Sequence, residues 1–179
     1  MDRSAITDFE ASGGPVDADI EFMAAVAGEL GRLRRLARVL VGDAGAADDF
    51  VGEALARTLP RWRAGAVDDC GAYLRRIVVN LASRRWRRLA VGRRRDHAAL
   101  EWTGAALDVQ DFVVERDRTL RAVMQLPVRR RAVVLLRFYE DRSLLDIATI
   151  LDVTEGTVKS QLSRVLGQLR EVLEGQEES

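Results

Sequence analysis

The sequence predicts an all-α protein of two small helical domains joined by a flexible linker. Three observations predict it. Apolar residues recur at helical spacing along most of the chain, and no stretch of useful length alternates as a strand would. Two such helical blocks are separated by Val91–Gly104, which is polar and mixed and holds Gly92 and Gly104. The segment Ser143–Arg164 reads as a short helix, a tight turn and a second helix. On this reading residues 1–17 are a tail, 18–90 the first domain, 91–108 the linker and 109–175 the second domain.

The elements follow in order. Met1–Val16 is a loose tail with Ser12-Gly-Gly-Pro as breaker. A long helical pattern runs from about Ala18 to Val41 and ends at Gly42-Asp43, where Asp43 can cap a second helix reaching about Leu59. Pro60–Asp69 is a turn segment, and a third helix runs from about Gly71 to Leu89. Further helices are expected at Val109–Leu126, Pro127–Tyr139, Ser143–Leu151 and Thr154–Leu173. Pro127 suits a first helical position. Ser143 with Asp146 makes a capping-box-like start. Asp152-Val153 turns the chain before Thr154, a natural N-cap. Glu174–Ser179 is an acidic frayed end.

Basic and acidic residues balance at 28 each. The sum argues against nucleic acid; the distribution argues for it. Between Gly71 and Arg95 stand Arg75, Arg76, Arg84, Arg85, Arg87, Arg88, Arg93, Arg94 and Arg95 with no acid, whereas the first thirty residues are acidic. Local field, not net charge, attracts a polyanion. Lone Cys70 and lone His97 exclude an internal disulfide and a Cys/His zinc site, and no cofactor is expected. No apolar run approaches a membrane span and no signal peptide opens the chain, so a cytoplasmic protein without membrane contact is expected.

Three surfaces stand out. Projected at 3.6 residues per turn, the third helix places Leu74, Ile77, Val78 and Leu81 on one side and Arg76, Asn80, Ser83 and Arg87 on another. That second stripe can track phosphates and touch bases, or remain a solvated arginine face. Trp86 lies off the apolar side and can stack on an unpaired base or pack against another helix. In the second helix Phe50, Val51, Ala54, Leu55 and Thr58 face the core while Asp49 and Glu53 project oppositely, one turn apart. The acidic pair suits a basic partner, unless Glu53 simply pairs with Arg57. In the last helix Val158, Leu162, Val165, Leu166 and Leu169 form the buried stripe. Gly156, Thr157, Lys159, Ser160, Ser163 and Arg164 cover the exposed side behind Thr154. Small residues there let a helix sit close to DNA; Arg164 can fork onto guanine while Lys159 and Thr157 grip backbone.

The order of these parts resembles the extracytoplasmic-function sigma factors of bacterial RNA polymerase, over about Glu21–Leu173. The resemblance rests on Gly42-Asp-Ala-Gly-Ala-Ala-Asp-Asp-Phe-Val-Gly-Glu-Ala54, on Ala72-Tyr-Leu-Arg-Arg-Ile-Val-Val-Asn-Leu-Ala82 and on Leu126-Pro-Val-Arg-Arg-Arg-Ala-Val-Val-Leu-Leu-Arg-Phe-Tyr-Glu140 with Gly156-Thr-Val-Lys-Ser160. The arginine-rich third helix and its approach resemble an actinobacterial subgroup. The resemblance implies region 2 before the linker and region 4 after it. It implies docking of Asp49 and Glu53 on the polymerase β′ coiled coil and contact of region 4 with the β flap. Arg76, Asn80, Ser83, Arg84 and Arg87 would meet the promoter −10 element, and Asp69 and Cys70 would sit in the loop that receives a flipped base. Thr154, Gly156, Thr157, Lys159, Ser160, Ser163 and Arg164 would read the −35 element. The linker would thread toward the polymerase active centre, and an anti-sigma factor becomes a candidate regulator. Gly52 stands where the family has glutamine, Phe50 where it has leucine and Gln161 where it has arginine; Cys70 is unusual.

The expected function is therefore promoter selection and strand opening for polymerase, with no enzyme activity of its own. A stand-alone helix-turn-helix regulator would need a dimerisation face or ligand domain that the first half does not display. A nucleic-acid enzyme would need groups beyond one histidine and one cysteine.

Overall fold

The computed structural model describes residues 15–93 and 114–174 of the chain. The described residues are helical: α1 Pro15–Ala27, α2 Leu30–Val41, α3 Ala44–Arg63, α4 Cys70–Arg93, α5 Val114–Gln125, α6 Val128–Val134, α7 Leu144–Leu151 and α8 Glu155–Glu174. Residues 94–108 of the expected linker and the expected helix start at Val109 lie outside the described residues, as do residues 1–14 of the tail and 175–179 of the acidic end.

The single long helix expected over Ala18–Val41 is broken. Gly28 ends α1, and the Glu29 amide donates to Val26 O at 2.9 Å before α2 begins. The apolar period continues across the break through Phe22, Val26, Leu33, Leu36 and Leu40, all buried, which is why spacing alone did not reveal it. Gly42 closes α2 in the left-handed conformation (φ 78°), where its missing Cβ removes the steric cost, and its amide bonds Arg38 O. Asp43 then caps α3, accepting from Ala46 N at 2.6 Å.

α3 runs to Arg63, past the expected turn at Pro60. A proline inside a helix removes one backbone donor and crowds the preceding turn. Long-range anchors hold the last turn nevertheless. Trp62 donates its indole N–H to Ala18 O at 3.1 Å and packs its ring 6.2 Å from Phe22. Arg63 forks onto Asp19 with both bonds at 2.6 Å.

In the second half the capping box at Ser143 is formed, with Ser143 N to Asp146 Oδ2 and Asp146 N to Ser143 Oγ both at 3.1 Å. These bonds hold the Asp146 carboxyl below its ordinary value. The cap's contribution is present above the ordinary carboxylate range and is lost as pH falls through the lowered folded value. Asp152 takes the left-handed conformation at φ 56°, turning α7 into α8. After α6 the chain widens into a π-type turn over Leu135–Tyr139, so the Glu140 amide bonds Leu135 O at 3.0 Å.

The two halves share one apolar core. Leu74, Val78 and Ala82 of α4 join Leu33, Leu36 and Leu40 of α2 on one side and Val133, Leu136, Ile147 and Val158 of the second half on the other. A smaller cluster of Val123, Leu126, Val134, Val165 and Leu169 binds α5 to α6 and α8. Leu166, expected in the buried stripe of the last helix, is 43% exposed. Among the described residues α8 packs chiefly against α5, α6 and α7, and Leu166 falls outside that contact.

Arg131 ties these layers together. It is 3% exposed. Its guanidinium donates to Val39 O (2.9 Å) and Leu40 O (3.1 Å) of α2, to Leu126 O (3.1 Å) and to Met124 O. Burial pulls its pKa down to about 10, so it stays charged at neutral pH. Replacing it strands buried carbonyls at the helix ends, each costing about 1–3 kcal/mol. Arg131→Met is therefore expected to destabilise by roughly 3 kcal/mol or more, about 6–12 °C in Tm for a chain of this size, measured by thermal melting. A melt within 2 °C of the parent, on that same ~2–4 °C per kcal/mol scale, would refute the role.

Candidate nucleic-acid interface

The helix-turn-helix is capped at the start of each of its helices. Thr154 Oγ1 accepts from the Thr157 amide at 3.2 Å and bonds Thr157 Oγ1 at 2.9 Å, so the first turn of α8 is fixed from both ends of the cap. Gly156, Lys159, Ser160, Ser163 and Arg164 are exposed and Thr157 is half-buried, so the expected reading face is gathered on one side of one helix. Ser160 donates its hydroxyl to Thr157 O at 2.9 Å, and Lys159 pairs with Glu155 at 2.9 Å. Both ties are surface interactions that a phosphate can displace at small cost. Gln161 turns inward, with Oε1 shielded from solvent and no partner among the described residues.

The acidic face of α3 stands open. Asp49 and Glu53 are exposed, as are Gly52 and Ala56 between and beyond them. Glu53 does pair with Arg57 one turn on, as the plain surface reading expected. Asp48 meets Arg34 at 3.6 Å. A Cβ at Gly52 would meet nothing within 4 Å, so glycine here answers no steric need of the fold.

The arginine stripe of α4 is only partly open. Arg84 and Arg87 are exposed, while Asn80 and Ser83 are half-buried. The Ser83 hydroxyl is shielded and finds no partner among the described residues. Arg87 Nε reaches Ser83 O at 3.4 Å. Arg76 is turned onto α7, donating to Thr149 O at 2.7 Å and lying 3.7 Å from Asp152. Trp86 packs: its indole N–H donates to Leu40 O at 3.0 Å, and Arg131 lies 5.7 Å over its ring. Of the two uses open to Trp86, the structure selects packing.

The expected base-pocket loop pairs one buried residue with one exposed one. The Cys70 side chain is buried at the head of α4 among core residues. Asp69 is exposed and caps α4, accepting from Ala72 N at 2.8 Å. Burial, and then the Asp69 and Glu29 carboxylates, push the Cys70 thiol above its ordinary pKa.

Sequence reasoning counted Arg75 among the arginines and assigned it nothing. It is fully buried. It donates to Glu140 Oε2 at 2.6 Å, to Glu29 Oε2 at 2.5 Å and to Gly71 O at 3.0 Å. A signal was present: Arg75 shares the helical face of Val78, Val79 and Ala82. Among the described residues no group of three or more potential metal ligands is found, and no helix is long and apolar enough to cross a membrane.

Comparison with known proteins follows the same division. The model for Sigma-70 region 2 matches residues 26–91, and that for Sigma-70, region 4 matches residues 116–169. The RNA polymerase sigma-E factor of Streptomyces coelicolor is 35% identical over 146 residues, 79% of each chain. The ECF RNA polymerase sigma factor SigM of Mycobacterium tuberculosis is 34% identical over 79% of this chain and 71% of its own. This chain belongs to the extracytoplasmic-function sigma factors. The Streptomyces and Mycobacterium relatives are actinobacterial, as the arginine-rich third helix suggested.

A sigma factor directs polymerase to promoters, and that function disfavours the stand-alone regulator. In fold it is also similar to the sigma factor RpoE of Bartonella quintana, solved in complex with the anti-sigma factor NepR. The TM-score is 0.68 at 22% identity, over 88% of this chain and 97% of that one. The alignment thus takes in both halves.

The burial of Cys70 is directly checkable. In the native sigma factor the thiol is expected to resist Ellman's reagent at neutral pH and to react fully once guanidinium unfolds the chain. Prompt labelling of the folded protein would restore Cys70 to the surface.

Proposed function

We propose that this sigma factor divides its work among three surfaces. α3 docks core polymerase at the β′ coiled coil through Asp49 and Glu53, and the second half meets the β flap. α4, through Arg76, Asn80, Ser83, Arg84 and Arg87 with Asp69 at its head, meets the −10 element and favours strand opening. α8, through Thr154, Gly156, Thr157, Lys159, Ser160, Ser163 and Arg164, reads the −35 element. The chain performs no catalytic step of its own; RNA synthesis belongs to the polymerase, and the work is done in the cytoplasm. An anti-sigma factor is a candidate partner, since the Bartonella relative was solved with one.

The observation that supports this reading best is the doubly capped turn at Ser143 and Thr154. It fixes α8 so that its exposed polar face and the positive end of its dipole are presented together. Start-site sequencing of run-off transcripts made by core polymerase with this chain tests the whole. Transcripts sharing upstream −35 and −10 sequences are expected; start sites unchanged from core polymerase alone would end the proposal.

Two substitutions test the parts. Arg164→Ala is expected to weaken −35 recognition by about 1–3 kcal/mol if Arg164 reads a base. In promoter binding by the holoenzyme, an equal loss on a scrambled −35 sequence would make it a phosphate contact instead. Asp49→Arg reverses an exposed charge on α3 and is expected to abolish co-elution with core polymerase on gel filtration. Normal co-elution would remove α3 from the docking surface.

A further inference from the structure

The seam between the halves is made of more than apolar surface. Arg75 of α4 is 0% exposed, and Glu140, which meets it from the second half, is 1% exposed in its side chain. Glu29, between α1 and α2, holds the other side of the same guanidinium. Arg142 flanks both carboxylates, 3.9 Å from Glu29 and 3.7 Å from Glu140. Arg76 closes the edge of the seam on Thr149 O and Asp152. Arg35 of α2 lies 5.9 Å over the ring of Tyr139. The first turns of the −10 stripe on α4 are therefore covered by α7.

Magnitudes decide what this arrangement can do. A compact chain of this length has a radius of gyration of roughly 16 Å, hence a diameter of about 40 Å. Elements centred near −35 and −10 lie about 25 base pairs apart, roughly 85 Å of duplex at ~3.4 Å per pair. The closed body cannot touch both. Its seam must part before both surfaces are used.

We propose that the Glu29–Arg75–Glu140 triad is an autoinhibitory latch that holds the free sigma factor shut, covers the start of the −10 helix with α7, and is released on loading to polymerase. The inference rests on the assignment of α4 to the −10 element. A triad suits the task better than apolar contact alone. Closed, Arg75 and Glu140 are buried, Glu29 is partly exposed, and Arg142 balances the second carboxylate from the rim of the seam. Removing one partner leaves the others buried and uncompensated, so the seam favours parting, and once open every member is stabilised by water. Gly71 belongs to the device: a Cβ there would stand 2.9 Å from Arg75 Nη1, in the space the pinned guanidinium occupies.

The test uses the free full-length chain, the Glu140→Gln variant and the Arg142→Glu variant. The last places a third carboxylate beside the triad from a partly exposed site, so its own half remains folded. Small-angle X-ray scattering reads the radius of gyration. Fluorescence anisotropy reads binding of a fluorescein-labelled single strand carrying the non-template −10 sequence of a mapped start site. Wild type is expected to be compact and to bind weakly. Both variants, with helical circular dichroism retained, are expected to expand and to bind at least about tenfold tighter, equivalent to about 1.4 kcal/mol. Variants as compact as wild type would overturn the latch. So would expansion without tighter binding while the variant holoenzymes still initiate at the mapped promoters, or loss of helix in both variants, which would make the seam part of the folding core. Expanded variants that neither bind the strand nor initiate would instead overturn the assignment of α4.

Discussion

A single guanidinium buried between two carboxylates constrains most of this structure. An arginine taken out of water is tolerable only when its donors are met and its charge is matched. Arg75 has Glu29, Glu140 and Gly71 O for that purpose. Each partner dictates something local. Glu29 stands between α1 and α2, just after the break at Gly28. Gly71 has to lack a side chain. Glu140 has to enter from a segment sixty-five residues downstream in sequence, so the second half is brought against α4.

Arg131 repeats the logic with carbonyls. It bonds the C-terminal carbonyls of α2 and of α5 and that of Leu126 just beyond, which a helix end otherwise leaves to solvent. It lies over the ring of Trp86, whose own N–H takes Leu40 O. Two arginines thus sit inside the molecule where the arginine-rich sequence suggested a surface entirely for nucleic acid. The surfaces left outside differ in readiness. α8 is open and fixed by its cap, α3 is open, and α4 is open only from about Arg84 onward.

The sequence made some of this legible and hid the rest for physical reasons. Local chemistry was readable: the caps at Asp43, Ser143 and Thr154 and the turn at Asp152 are made by neighbours a few residues apart. The open faces of α3 and α8 were readable from periodicity. Long-range partners were not. Nothing near Pro60 announces that Trp62 and Arg63 are held by α1, so local signals alone end the helix too soon. Nothing near Arg75 names Glu140. Cys70 was assigned by position in a family pattern, whereas its burial follows from the face of α4 on which it lies. The linker, read as flexible, lies largely outside the described residues.

The widened turn at Leu135–Tyr139 has a consequence for how the chain can vary. A π-type turn amounts to one extra residue within a helix. Excising one residue there would restore regular α geometry and swing everything that follows by about 100° around the axis. The Glu140 carboxylate would then aim away from Arg75 although its chemistry was untouched. Coupling between the halves is thus encoded in a count of residues as well as in their kinds, and a single-codon deletion could abolish it without altering any charge.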